Sequence, residues 1–147
     1  MLQVNNIRDH KEQYIQALAK RNFEAKAVFE EVLELDETRR NTQTRLDDIL
    51  AESNRLSKEI GKMFKNGEHQ KANLIKEKTG KLKEDSKELS EKLSSTIQEL
   101  EQLLYTIPNV PHESVPAGVS EEDNEEIFKE GEIPVLEKTA LPHWELA

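Results

Sequence analysis

Hydrophobic residues recur between residues 28 and 107 at alternating steps of three and four, which predicts two long helices with one apolar stripe each. This heptad pattern is typical of helices that pack together as a coiled coil. The stripe of the first helix contains Val28, Val32, Leu35, Arg39, Thr42, Leu46, Ile49, Ser53, Leu56, Ile60 and Met63. The stripe of the second contains Ala72, Ile75, Thr79, Leu82, Ser86, Leu89, Leu93, Thr96, Leu100, Leu103 and Ile107.

The two stripes fit a single antiparallel hairpin. Facing residues in such a hairpin have numbers with a constant sum, and the pairs Met63 with Ala72 and Val28 with Ile107 both give 135. The reversal then falls in the segment 65–68, whose Asn-Gly pair can supply the left-handed conformations that end a helix. We interpret the polar residues of the stripes as structural residues that fix the register.

A shorter helix is predicted before the hairpin, from about Asn6 or Asp9 to Lys20, after an extended start at Leu2 and Val4. We expect it to pack across the base of the hairpin, where large apolar side chains also occur outside the two stripes. The predicted fold is therefore all-α, with a long two-helix arm, a short helix at its base and an extended tail. The apolar residues of the short helix are Ile7, Tyr14, Ile15 and Leu18, and those at the base are Phe29, Leu33, Ile97 and Leu104.

Composition supports a thin helical arm. Of the 147 residues, 35% are hydrophobic and 35% are charged, so a compact globule would lack apolar residues for its core. The chain has no cysteine, which excludes disulfides and thiolate chemistry. No apolar run is long enough to span a membrane, and no apolar signal-peptide region follows Met1. These features predict a cytoplasmic protein.

Positive charge is concentrated near the turn, although the whole chain has a net charge of −9. Nine basic and three acidic residues lie between residues 54 and 83, a local balance of +6. This segregation favours a nucleic-acid partner at the distal end, while the acidic base argues against a DNA-coating protein. A lysine-rich solvated surface is the alternative interpretation. The predicted RNA-binding residues are Arg55, Lys58, Lys62, Lys65, Lys71, Lys76, Lys78, Lys81 and Lys83.

The chemistry of the chain changes after Ile107, where three prolines predict an extended segment followed by an acidic linker at 121–126. Residues 127–128 and 133–136 are predicted to form short strands. These apolar pieces and Trp144 are too few to form a core. We therefore divide the chain into a helical domain, residues 1–107, and a linker, residues 108–147, that leads into a domain absent from this sequence.

The sequence contains no pattern of catalytic or metal-binding residues. The four histidines are scattered without metal-ligand spacing, and no glycine-rich phosphate loop occurs. Carboxylates are abundant, but the predicted helices place them on exteriors that offer no dry pocket. We therefore expect no catalytic residue, cofactor or metal in this chain and interpret it as a binding module.

Several stretches together resemble the amino-terminal region of bacterial seryl-tRNA synthetases. The resemblance implies a coiled-coil arm that binds the long variable arm and the elbow of tRNA(Ser), in a homodimer. It also implies a class II catalytic domain, beyond this chain, that uses serine, ATP and Mg²⁺. The matching stretches are residues 33–40 (LELDETRR), Gln43, Arg45, residues 54–61 (NRLSKEIG), 107–112 (IPNVPH), 115–118 (VPAG), 123–124 (DN) and 143–146 (HWEL).

Two other functions remain open on the residues alone. A coiled-coil adaptor or chaperone-like hairpin that grips a protein would bind its partner without strong salt dependence. A structural coiled coil would pair each arm with another chain instead of folding back on itself. Contacts between Met63 and Ala72 within one chain would distinguish a hairpin from that arrangement.

Overall fold

The computed structural model describes residues 2–132, 134–137 and 139–145 and is dominated by helices. None of the helices in these ranges is long and apolar enough to cross a lipid bilayer. Two short 3₁₀ turns follow the helices, at Glu121–Asp123 and His143–Glu145. The α-helices are α1, Val4–Asp9; α2, Lys11–Ala19; α3, Ala25–Lys65; and α4, His69–Thr106.

Helices α3 and α4 form the predicted antiparallel hairpin. Helix α3 has 41 residues and is therefore about 60 Å long. All 22 positions of the two predicted stripes are buried or half-buried. The ion pair between Lys78 Nζ and Glu52 Oε1, at 3.2 Å, crosses between the helices. Both residues directly precede a stripe residue, so their contact fits the predicted register, because an antiparallel coiled coil brings such flanking positions together.

The turn of the hairpin is closed by Gly67. Its φ of +78° is left-handed, and the N–H of Gly67 donates to Phe64 O at 3.2 Å. The N–H of Glu68 donates to Met63 O at 3.0 Å, which completes a Schellman motif at the end of α3. Asn66 has a φ of −89°. Only the glycine uses the left-handed region that we expected of both residues.

Three hydroxyl groups of the stripes donate to carbonyl oxygens of their own helix, namely those of Thr79, Ser86 and Thr96. The buried hydroxyl groups of Thr79 and Thr96 donate to Ile75 O at 2.9 Å and Lys92 O at 2.8 Å, respectively. Such bonds leave no buried hydroxyl unsatisfied, but they do not cross to the facing helix. These hydroxyl groups therefore do not fix the register through hydrogen bonds between the helices.

The short helices bury the base of the hairpin, as predicted. The side chains of Ile7, Leu18 and Phe29 are fully buried where α1, α2 and α3 meet. Leu100, Leu104 and Ile107 of the second arm complete this core. The base therefore has a third layer of helix, whereas the arm beyond it is two helices thick.

Two details of the predicted base are wrong. The short helix starts already at Val4 and is interrupted at His10, so it forms two helices instead of one. His10 has a φ of −128° and a ψ of 28°, which is incompatible with a continuous helix. Ile97, assigned to the apolar base, keeps 37% of its surface exposed because the short helices do not reach that side of α4.

A buried carboxylate joins the short helices to the arm. Asp36 on α3 is buried and accepts hydrogen bonds from three arginines. Arg39 donates from both Nε and Nη2 to Oδ1, at 3.1 and 2.8 Å. Arg40 donates to Oδ2 at 3.1 Å, and Arg8 of α1 binds the same oxygen. Burial raises the pKa of Asp36, but Arg39 and Arg8 outweigh burial and hold the pKa below its usual value.

The segment after α4 is tied to the loop that follows α2. Lys20 Nζ donates to Glu113 O at 2.7 Å and to Val115 O at 3.1 Å. Arg21 Nη1 donates to Asn109 O at 2.9 Å. The N–H of Gly118 returns a hydrogen bond to the carbonyl of Lys20 at 3.2 Å. These contacts hold the start of the linker against the helical base.

The predicted short strands are absent from the described part of the linker. Residues 127–128 and 134–136 form no strand because they have no partner strand for their backbone groups. Ile133 lies outside the described residues. Ile127 and Phe128 are 91% and 76% exposed, in agreement with the expectation that these pieces form no core.

Part of the acidic linker is an ordered turn. The Asp123 carboxylate accepts hydrogen bonds from the N–H groups of Val119 at 2.8 Å and Ser120 at 3.1 Å. These two backbone bonds hold the pKa of Asp123 below its usual value. A Cβ atom at Gly118 would lie 2.6 Å from the Cβ of Asp123, so the turn requires glycine there. The capped turn makes this stretch more structured than the predicted solvated linker.

Candidate nucleic-acid interface

All nine predicted RNA-binding residues are exposed on the distal parts of α3 and α4. The structure thus brings two separate stretches of sequence together at one end of the arm. Three of the nine form ion pairs with carboxylates, namely Arg55, Lys71 and Lys78. The others form no ion pair with any residue that the structure describes; they are Lys58, Lys62, Lys65, Lys76, Lys81 and Lys83.

Arg55 is engaged by its own helix, contrary to our expectation that it is free. Its Nε and Nη2 atoms lie 2.7 and 2.9 Å from the two carboxylate oxygens of Glu52. Nη1 lies 3.4 Å from Glu59 Oε2. A phosphate group that binds Arg55 must therefore compete with two carboxylates that are already in place.

Glu52 also binds the opposite arm and is the centre of a small ion cluster. The hydrogen bond from Arg55 and then that from Lys78 lower the pKa of Glu52 to about 2. Its carboxylate is consequently charged at neutral pH and cancels part of the positive charge nearby. Our count of charges began at Asn54 and therefore excluded Glu52. The sequence nevertheless places Glu52 directly before a stripe residue, beside the contact between the two helices.

The six unpaired lysines are the cations of the distal arm that no described carboxylate neutralises. An exposed ammonium group donates up to three hydrogen bonds and attracts phosphate without a fixed orientation. Lys58 and Lys65 share one outward column of α3, while Lys76 and Lys83 share a column of α4 beside the stripe. Such an array can follow a phosphate backbone, and its affinity depends on salt because binding releases counterions.

An aromatic pair lies at the tip of the arm. The ring centroids of Phe64 and His69 are 5.5 Å apart, with an angle of 55° between the planes. The ring of Phe64 contacts His69 and is 43% exposed. We did not identify His69 as a candidate interface residue from the sequence. The predicted register nevertheless places it next to the turn, on the same side as Phe64.

Comparison with known proteins identifies the family to which this helical hairpin belongs. The family model for the seryl-tRNA synthetase N-terminal domain matches residues 1–111. The chain belongs to this family. The match includes α1 to α4 and ends within the segment that Lys20 and Arg21 hold against the base.

Curated relatives in this family are serine–tRNA ligases. The serine–tRNA ligase of Salinibacter ruber is 37% identical over 147 residues, which are 100% of this chain and 34% of that protein. The serine–tRNA ligase of Azorhizobium caulinodans is 38% identical over 143 residues, 95% of this chain and 32% of that protein. The chain thus spans about a third of the length of the relatives it matches.

A solved structure confirms the fold. The crystal structure of seryl-tRNA synthetase from Pyrococcus horikoshii complexed with ATP is 31% identical, with a TM-score of 0.54. The similarity covers 84% of this chain and 27% of that one. The predicted hairpin, its base and the family resemblance are therefore confirmed.

Proposed function

We propose that this chain is the tRNA-binding arm of a seryl-tRNA synthetase. It grips the long variable arm and the elbow of tRNA(Ser) and positions this tRNA for serylation by a class II catalytic domain outside residues 1–147. The observation that carries the proposal is the combination of family membership with an arm about 60 Å long. The distal end of this arm presents six exposed lysines without ion-pair partners among the described residues.

The physics of RNA recognition favours this arrangement. Double-stranded RNA hides its base edges in a deep, narrow major groove, so proteins recognise its backbone and shape. Lysines bind phosphates without reading sequence. An arm of fixed length that presents lysines far from its base can therefore recognise an additional RNA stem by its position.

The remaining parts of the proposal concern the whole enzyme. The catalytic domain would bind serine, ATP and Mg²⁺, and the enzyme would be a homodimer in the cytosol, where its tRNA is located. Exposed apolar residues in the linker support a neighbouring domain, because Phe128, Val135 and Leu136 are largely uncovered in this chain. No residue of the chain is assigned to catalysis, to a cofactor or to a metal.

Filter binding with two classes of tRNA tests the proposal. We expect the 147-residue chain to bind tRNA(Ser), with its long variable arm, more tightly than a tRNA with a short variable loop. The logarithm of the association constant should fall with the logarithm of salt concentration, by about 0.7 to 0.9 per phosphate contact. Equal, salt-insensitive binding of both tRNAs would contradict the proposal and favour the protein-binding hairpin.

A further inference from the structure

We infer that one face of the distal arm binds the RNA and that the opposite face does not. This inference rests on the proposed function and specifies which face of the arm contacts the RNA. Residues that directly follow a stripe residue lie on one side of an antiparallel hairpin, and residues that directly precede one lie on the other. The smooth face consists of the residues between Asn54 and Lys87 that directly follow a stripe residue. The paired face consists of the residues between Glu52 and Asp85 that directly precede one.

Charge distinguishes the two faces. No Asp or Glu occupies a position on the smooth face. Two of its three lysines, Lys76 and Lys83, are exposed without an ion-pair partner in the described ranges, and the third, Lys87, is paired with Glu91 at 3.9 Å. The paired face contains the ion cluster in which Glu52 binds both Arg55 and Lys78. A polyanion that approaches the smooth face meets two free ammonium groups and no carboxylate of that face, whereas on the paired face carboxylates already neutralise Arg55, Lys71 and Lys78.

Shape also distinguishes the smooth face. Gly61 and Gly80 both belong to it, and the register places them on facing helices about 9 Å apart along the arm. A Cβ atom built on either glycine would meet nothing within 4 Å. The glycines therefore fill no packing role against another part of this chain. Without side chains at these two positions, a sugar-phosphate backbone can approach the helices closely.

The aromatic pair at the tip belongs to the same face. Phe64 directly follows the stripe residue Met63, and its ring lies 5.5 Å from that of His69. Lys76 follows one heptad after His69 on the same side of α4. An exposed ring next to a row of cations is an arrangement on which proteins stack an unpaired base of a structured RNA loop. The smooth face thus offers a phosphate track that ends in a site for one unstacked nucleotide.

Matched charge reversals on the two faces test which of them binds the RNA. We expect Lys76→Glu with Lys83→Glu to weaken tRNA(Ser) binding by about tenfold or more and to reduce the salt slope by about 2. The control, Lys62→Glu with Lys81→Glu, changes the net charge equally on the paired face and should weaken binding by a smaller factor, because only the general electrostatic attraction of the arm is reduced. Equal losses in the two double variants, or a larger loss in the control, would overturn the inference.

A steric variant gives an answer that does not depend on charge. Gly80→Gln should raise the melting temperature of the arm, because glycine is the poorer helix former and open space surrounds it. We expect the same variant to weaken tRNA binding about tenfold. Ala51→Gln adds a similar side chain on the outward column and should leave binding unchanged. A more stable Gly80→Gln protein with undiminished affinity would contradict the smooth face as the RNA-binding surface.

Replacement of the ring tests the nucleotide site. Phe64→Leu keeps an apolar side chain and should lower affinity about fivefold or more without changing the salt slope, because stacking is not ionic. Leu74→Ala, an exposed residue of the paired face, serves as the control. A loss of affinity that comes with a reduced salt slope would exclude stacking. If the unaltered chain bound no tRNA, the proposed function itself would fail, and this inference with it.

Discussion

Arg8 of α1 binds the buried carboxylate of Asp36 on α3, and this contact connects the amino-terminal helices to the arm. The carboxylate has no other partners on α1 or α2 among the described residues, and its remaining hydrogen bonds come from Arg39 and Arg40 on its own helix. The three arginines compensate for the cost of burying this charge. The base therefore depends on an acidic residue that composition alone would place on the surface.

We predict that Asp36→Asn lowers the free energy of unfolding by about 1 to 3 kcal/mol at neutral pH. The amide is isosteric, but it is uncharged and cannot accept hydrogen bonds from all three guanidinium groups. Urea titration followed by circular dichroism measures the change. Asp48→Asn, at an exposed position of the same helix, is the control and should have no effect beyond about 0.5 kcal/mol.

The same variant should change the acid stability of the protein. The pKa of Asp36 in the folded protein lies below its value of about 3.9 in an unfolded chain. Its stabilising contribution is therefore fully present above about pH 4 and is lost as the pH falls through the folded-state pKa. We expect stability to depend less steeply on pH below 4 in Asp36→Asn than in the unaltered protein. Parallel curves for the two proteins would show that Asp36 does not titrate as proposed.

We predict opposite effects for alanine at two glycines of the arm. Gly61→Ala should stabilise the protein by about 1 kcal/mol, because the position is helical and open. Gly67→Ala should destabilise it by about 1 kcal/mol, because its φ of +78° disfavours any side chain. Thermal unfolding of the two single variants measures both changes. Equal shifts in melting temperature would contradict the assigned turn geometry.

We predict that Lys20 holds the linker against the base. Lys20→Met keeps the length of the side chain but removes its donors to Glu113 O and Val115 O. Limited proteolysis should then cleave residues 112–118 several-fold faster. Lys26→Met, at an exposed position early in α3, is the matched control and should leave the rate unchanged. An unchanged cleavage rate in Lys20→Met would show that other contacts hold the segment.

We predict that Glu52 titrates at a pH near 2, as measured by its side-chain carbon resonance in NMR. Arg55→Met should raise this pKa most, because Arg55 donates the hydrogen bond with the largest effect. Lys78→Met should raise it by a smaller amount. A larger rise in Lys78→Met than in Arg55→Met would reverse this assignment.

The hairpin could be predicted from the sequence because its pattern is local and redundant. The heptad stripes, the Asn-Gly turn and the constant register all specify the same pairing, and each stripe position is covered in the structure. The helix break at His10 could not be predicted, because the flanking residues continue a helical pattern. The division of the chain at residue 107 and the nine RNA-binding residues stay predictions.

Contacts between distant segments were the main features that the sequence did not predict. The spacing of Asp36, Arg39 and Arg40 indicates an ion pair within one helix turn, but nothing in the pattern connects Arg8 to them. The same holds for Lys20, which binds carbonyl groups more than ninety positions later. The paired state of Arg55 was overlooked because a count of charges does not show which carboxylates are within reach.

The third layer of helix at the base makes the arm a cantilever with one clamped end. A rotation of about 5° at the clamp displaces the far end of a rod about 60 Å long by roughly 5 Å. Small adjustments around Phe29 and Asp36 would therefore move the tip by several ångströms. The rigidity of the base therefore determines how precisely the tip of the arm is positioned.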